Sequence, residues 1–254
     1  MKEKPPVPWP RTPQGRYILS WEQARLDGLL ADVFGYHALQ LGHAERDFLR
    51  ESRMPLRAVL SSADEAAALP GKAALVCDFS ALPVASQSVD LALLPHVLEF
   101  ADDPHAVLRE VERILIPEGQ LIITGFNPFS LFGAKRRLSA WFDSAPEYPW
   151  HGRYLSVLRL RDWLKLLGFE VDRGAFGCYA PPVGHAVARI PPLELAGARW
   201  WAVFGDVYLL RAVKRVGGMR LVGKLPWKKL APSPLAINPL AHRGQPQKNV
   251  KEKP

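Results

Sequence analysis

Apolar residues recur along the chain in two rhythms, and their alternation predicts a layered α/β fold. From Tyr17 to Gly35 they fall at helical spacing, with Trp21, Ala24, Leu29, Leu30, Val33 and Phe34 recurring and Gly35 closing the helix. Tyr36–Leu41 is a short apolar run ended by Gly42, which predicts a first strand, and a helical stretch with Phe48 and Leu49 follows. Leu56–Leu60, Ala73–Cys77 and Val89–Leu94 read as the next three strands, the last stopped by Pro95. The clearest helix begins at Asp103, an N-cap residue type with Pro104 at the first helical position. Its apolar face is Val107, Leu108, Val111, Ile114 and Leu115. Pro117 and Gly119 end it, and Leu121–Thr124 predicts a fifth strand.

Beyond Phe126, Asn127 and Pro128 predict another capped helix, running through Phe129, Phe132 and Leu138 to Trp141 and Phe142. Its face also carries Lys135, Arg136 and Arg137. It reads either as a helix packed on the core with a solvated basic end, or as the apolar wall of a pocket whose basic cluster meets an anionic substrate or lipid headgroups. A loop from Asp143 to Gly152 leads to a helix over about 156–167. Phe169–Phe176 and Val203–Ala212 then predict two late strands joined by a Pro/Gly-rich segment. Apolar strands separated by helices mean a doubly wound, mostly parallel seven-stranded sheet covered on both faces, with right-handed crossovers.

Charge refines the outline. The chain has 254 residues and a formal net charge of +8, but the excess lies at its two ends. Residues 1–16 and 224–254 are basic and hold 11 of the 24 prolines, so they read as extended or disordered segments flanking a near-neutral domain over 17–223. Basic tails of this kind are solubilising or weakly attract anions, and no nucleic-acid-binding motif accompanies them. The longest apolar-leaning run, Gly119 to Ala134, is broken by Pro128 and falls short of the ~20 residues a bilayer needs. The N-terminal residues lack an apolar signal core, and the two cysteines, Cys77 and Cys178, fit a reduced cytoplasmic setting.

In open α/β sheets ligands bind at the carboxyl ends of strands, near the switch in strand order. That directs attention to Gly42, His43, Ser61, Ser62, Asp78, His96 and Asn127. The run Asp78-Phe-Ser-Ala-Leu-Pro-Val-Ala-Ser-Gln-Ser-Val-Asp90 resembles the central signature of class I S-adenosylmethionine-dependent methyltransferases, with an Asp ending strand three and another opening strand four twelve residues later. Leu94-Pro95-His96-Val97-Leu98-Glu99-Phe100, the Asp103-Pro104 helix and the run from Arg109 to Leu121 continue the pattern in order. The likeness is closest to the type 11 branch and to bacterial members with an Asn-Pro helix after strand five.

The resemblance implies a Rossmann-like methyltransferase fold and S-adenosylmethionine as cofactor. It implies that Asp78 accepts the adenine amino group beside the backbone of Phe79, and that Gly42 is the first glycine of the methionine-binding loop. Gln40 falls where that loop opens with an acidic residue, and Ser61 falls where an acid would receive the ribose hydroxyls, with Asp64 and Glu65 just beyond. Leu94, Pro95 and His96 correspond to the strand-four end beneath the sulfonium. Two glycines of the family loop are Ala44 and Arg46 here, which adds Cβ atoms where backbone approaches closely. The expected reaction is in-line methyl transfer to a small-molecule acceptor. The alternative is a methyltransferase-like binding or scaffold protein, which the altered loop favours. Many such folds need no fixed base; His96, His151, Tyr154 or His185 could serve. A nicotinamide oxidoreductase is disfavoured because no G-x-G-x-x-G follows the first strand.

Overall fold

The computed structural model describes residues 9–68, 75–130, 133, 152–179 and 202–216, all within the compact unit Met1–Gly217. Helix α1 spans Pro13–Leu30. Thr12 caps it, its Oγ1 accepting from Gly15 N at 3.0 Å, and Pro13 stands where a free N–H would have no intrahelical partner. The helix thus begins and ends earlier than the apolar spacing predicts. Phe34, counted on its face, is instead 71% exposed. A 3-10 turn over Trp9–Arg11 precedes it and buries the indole of Trp9, so the predicted N-terminal segment contributes a core residue.

Seven strands follow: β1 (His37–Leu41), β2 (Leu56–Ser61), β3 (Leu75–Val76), β4 (Val89–Pro95), β5 (Leu115–Phe126), β6 (Phe169–Gly177) and β7 (Val207–Lys214). They form one sheet in the order β3-β2-β1-β4-β5-β7-β6. Strands β1 to β5 run parallel, while β7 is antiparallel to both of its neighbours. This is the doubly wound, mostly parallel arrangement the alternation predicts. The start of β1 is tied to β4 by Asp90, whose Oδ2 accepts from Tyr36 N at 3.0 Å and His37 N at 2.9 Å.

Among the described residues lie α2 (Ala63–Ala68), α3 (Pro104–Ile114) and α4 (Val157–Leu166). Asp103 caps α3, its Oδ1 accepting from the amides of His105 and Ala106. Local details differ from the sequence reading. The stretch holding Phe48 and Leu49 is a series of turns, and α2 occupies a crossover the pattern left blank. Leu115 already has extended backbone and pairs with Val89, so β5 starts where α3 stops; regular pairing resumes at Gln120. Strand β7 starts later than predicted, because Ala202–Phe204 is a 3-10 turn. The Asn127–Phe142 helix, the 143–152 loop, most of the late Pro/Gly segment and the basic tail fall largely or wholly outside the described residues.

Strand alternation sends consecutive residues to opposite faces. Ala92, Leu94, Leu121, Ile123 and Leu210 pack with Val107, Leu108, Val111 and Ile114 of α3 and Leu160 and Leu164 of α4. Leu91, Leu93, Ile122 and Leu209 pack on the other face with Ile18, Leu19, Leu26 and Leu30 of α1, and with Trp9. Helix α1 therefore covers the face of the sheet that carries Leu91, Leu93, Ile122 and Leu209.

Candidate functional site

From β1 the chain moves outward to β2 and β3, then returns to place β4 on the other side of β1. The carboxyl ends of β1 and β4 thus flank the switch in strand order.

The loop after β1 is organised by one buried amide. Gln40 is fully buried, and its Nε2 donates to the carbonyls of Gly42 (3.0 Å), His43 (3.2 Å) and Arg46 (2.9 Å), while its Oε1 accepts from Phe48 N at 3.0 Å. An acid could not donate those three bonds. Gln40 therefore acts inside the protein as the staple of this loop. Gly42 has φ +76°, and a Cβ there would lie 3.2 Å from Val97 Cγ2, 3.8 Å from Glu65 Oε2 and 3.9 Å from Phe79 Cε2. Only glycine takes that backbone freely, and only its lack of a side chain leaves that space open.

Glu65, which the sequence places just beyond Ser61, turns back to the β1 loop. Its Oε1 accepts from Ala44 N at 2.7 Å and its Oε2 from the Ser61 hydroxyl at 2.9 Å. The run Ser62-Ala-Asp-Glu65 has capping-box spacing, and Ser62 Oγ does accept from Glu65 N at 3.3 Å. That spacing was a legible sign of a helix start, but the carboxylate turns to the β1 loop instead. Ser61, predicted to meet a ribose, is buried and orients this carboxylate. Asp78 is exposed. Its Oδ1 accepts from Ser80 N at 2.8 Å, and that bond holds its carboxyl below the usual range. Gly42, Ser61 and Phe79 thus meet around Glu65 and Val97, with Asp78 next to Phe79 in the chain.

Leu94 and Pro95 are buried scaffold. His96 follows them with φ +50°, and His43 in the neighbouring loop has φ +52°. Two left-handed, non-glycine residues side by side at strand ends mark a site whose surroundings impose the conformation. The imidazole of His96 lies between two carboxylates: Nε2 is 2.8 Å from Glu22 Oε1 on α1, and Nδ1 is 3.2 Å from Glu99 Oε2. All three side chains are buried, at 0%, 1% and 2% residue exposure for Glu22, His96 and Glu99. Burial opposes the imidazolium, but Glu22 and Glu99 overcome it and push His96 up to about 10. His43 goes the other way. Burial, then the His96 and Arg46 cations, push it down to about 3. At neutral pH one histidine is a cation and its neighbour is uncharged. His96 is therefore held protonated and cannot serve as the base considered above.

Aromatic rings close over the pair. Trp9 meets His43, His96 and Phe126 edge to face at centroid distances of 5.5, 5.1 and 5.3 Å. Phe126 lies 4.2 Å from His96, and Tyr154 stacks on Phe126 at 5.3 Å. Glu99 Oε1 also accepts from Phe126 N. Asn127 is not simply a helix cap: its Nδ2 donates to the carbonyls of Val203 (2.6 Å) and Gly205 (2.9 Å). His151 and His185 lie outside the described residues. A groove of about 530 Å3 opens elsewhere, between α1 and β6–β7, and none of the predicted site residues lines it.

Glu22 did leave a trace in the sequence. It sits at helical spacing between Ile18 and Leu26, a lone acid on the apolar face of α1.

Comparison with known proteins shows what this chain resembles. Residues 56–123 match the methyltransferase domain family. The uncharacterised protein YafS of Escherichia coli is 32% identical over 163 residues, which is 64% of this chain and 65% of YafS. The uncharacterised protein Rv2003c of Mycobacterium tuberculosis is 33% identical over 186 residues, 68% of this chain and 60% of that protein. The matches thus span just under two thirds of these relatives' length. Among solved structures, a Thermotoga maritima S-adenosylmethionine-dependent methyltransferase superposes with a TM-score of 0.58 at 18% identity, covering 80% of this chain and 91% of its own. The [4+2]-cyclase SpnF shares the fold with a TM-score of 0.51 at 17% identity, over 85% and 86% of the two chains.

Proposed function

We propose that the chain is a class I S-adenosylmethionine-dependent methyltransferase and that it transfers a methyl group from this cofactor to a small-molecule acceptor. The observation that carries the reading is the cradle at Gly42, where a Cβ would fill space bounded by Val97, Glu65 and Phe79. Gly42 and the loop stapled by Gln40 would receive the methionine portion, Glu65 the ribose hydroxyls, and Asp78 with Phe79 the adenine. Bound there, the cofactor would supply an activated methyl group on a sulfonium.

The rest falls to the chain's own residues. Ser61 and the Ala44 amide aim the Glu65 carboxylate, which suits it to accept two hydroxyl donors. Trp9, Phe126 and Tyr154 supply apolar surface that excludes water from the strand ends, where in-line displacement needs a dry, collinear arrangement. His96 contributes fixed charge rather than proton transfer. Free thiols at Cys77 and Cys178 favour a cytoplasmic setting. A second reading, a binding protein without turnover, draws on Ala44 and Arg46 standing where the family loop has glycines.

Thermal unfolding with S-adenosylmethionine and S-adenosylhomocysteine tests the proposal. Ligand at ~100 times Kd stabilises by about 2.7 kcal/mol, several degrees for a domain of this size. Asp78→Ala and Gly42→Ala should each abolish the shift while the circular dichroism spectrum is retained. No shift at millimolar ligand would refute the cofactor site. A shift without turnover against a metabolite panel would favour the binding protein.

A further inference from the structure

The loop between β3 and β4 carries Asp78 and Phe79, yet it has little core of its own. Of residues 78–88 only Leu82 is buried. A segment with so few apolar contacts keeps one shape only if polar bonds impose it. Helix α3 supplies them from Glu110 and Arg113, both within the Arg109–Leu121 run. Glu110 Oε2 accepts from Leu82 N at 3.0 Å. The Arg113 guanidinium donates to the carbonyls of Leu82 and Val84, each at 2.9 Å, and to Ser86 Oγ at 3.1 Å. It also donates to both oxygens of Glu110, at 3.0 and 2.8 Å, so all five of its N–H donors are engaged. The loop's last residues join the same helix end, where Gln87 N and Ser88 N donate to the carbonyls of Arg113 (2.9 Å) and Ile114 (2.8 Å). At its start the loop is closed on itself: Ser80 N donates to Asp78 Oδ1 at 2.8 Å and Ala81 N to the Asp78 carbonyl at 3.1 Å. One closed turn therefore separates Asp78 and Phe79 from the clamp at Leu82.

We propose that Arg113, with Glu110, is a positioning residue for the nucleoside: it presets the β3–β4 loop so that Asp78 distinguishes an adenine, which offers an amino group, from a hypoxanthine, which presents a carbonyl oxygen there. The inference rests on the cofactor reading above and deepens it, since Arg113 acts through the loop and not on the ligand. A carboxylate fixed in place rejects the carbonyl, because two acceptors then face each other with no proton between them. A carboxylate on a loose loop turns away to water and discriminates little.

Isothermal titration with S-adenosylhomocysteine and S-inosylhomocysteine tests this, since the two differ only in the purine. The wild type should prefer the adenine compound by about tenfold. Arg113→Met should bring the two affinities within about twofold, and Arg113→Lys should fall between, because three donors replace five. Glu110→Gln keeps an acceptor for Leu82 N and should retain most of the preference. A merely structural role would lower the melting temperature of each variant and leave the ratio of the two affinities at its wild-type value, which overturns the inference. Hydrogen exchange on the wild type decides the matter if the variants do not fold. The Leu82 amide should be protected before any ligand is added, and exchange there at the free-chain rate would overturn a preset loop. Equal binding of the two compounds to the wild type overturns the inference and leaves cofactor binding standing. Failure of both to bind would overturn the cofactor reading and this inference together.

Discussion

The two histidines at the strand ends pull stability in opposite directions with pH, and the alkaline limb can be worked out. His96 is raised from 6.5 to about 10 by its two buried carboxylates. A group whose folded pKa lies above its unfolded value contributes fully below the unfolded value and loses that contribution as pH rises through the folded one. Each pKa unit corresponds to about 1.4 kcal/mol, so His96 alone removes about 2 kcal/mol between pH 6.5 and 8.5. For a domain near this size that is about 4–8 °C in Tm.

His43, depressed to about 3, acts on the acid side, where its contribution fades as pH falls from 6.5. Urea unfolding of the wild type and of His96→Gln, repeated from pH 5 to 9, separates the two. The variant should be less stable by about 3–5 kcal/mol at pH 6.5, because its carboxylates lose their cation. Above that pH it should run flatter than the wild type, with its acid limb intact. Equal slopes for both proteins between pH 6.5 and 8.5 would refute the reasoning. If the variant does not fold, the wild-type His96 ring proton resonance decides the matter: it should stay unshifted to pH 8.5, and a midpoint near 6.5 would refute the trapped imidazolium.

Gln40→Glu restores the acid that the family loop begins with, yet here it should destabilise. It turns three donated bonds into repulsions against carbonyls, at a cost of about 2–3 kcal/mol visible in urea unfolding. A neutral or stabilising outcome would show that the loop re-forms around the acid. Asp90→Ala removes both acceptor bonds at the start of β1 and should cost about 1–2 kcal/mol, with cofactor affinity by calorimetry unchanged. A loss of affinity without a loss of stability would assign Asp90 to the site instead.

Much of the fold was readable because its signals are local. The Asp103-Pro104 start of α3, the apolar runs of β4 and β5 and the existence of two late strands follow from spacing and capping alone. The misplaced start of α1 shows how a cap can outrank spacing, since Thr12 and Pro13 open the helix before its apolar rhythm is evident. The turns after β1 were hidden for a different reason. Phe48 and Leu49 are buried, which mimics a helix face, but the segment is held by one distant side chain, Gln40. Gly42 and Phe79, which the family resemblance names together, do lie next to one another at the end of β1. The charge trio was not legible, because Glu22 meets His96 only after the sheet has assembled. Glu65 was visible as an acid just beyond Ser61, and only the tertiary arrangement turns its carboxylate toward Ala44 and Ser61.

The position of β7 bears on how the chain is made. The last strand among the described residues lies between β5 and β6, hydrogen-bonded to both. Until residues 207–214 emerge, β6 has no neighbour to pair with and β5 has an open flank. Nascent chains that stall before that point therefore carry two unsatisfied β edges, the surfaces that holdase chaperones and aggregation both exploit.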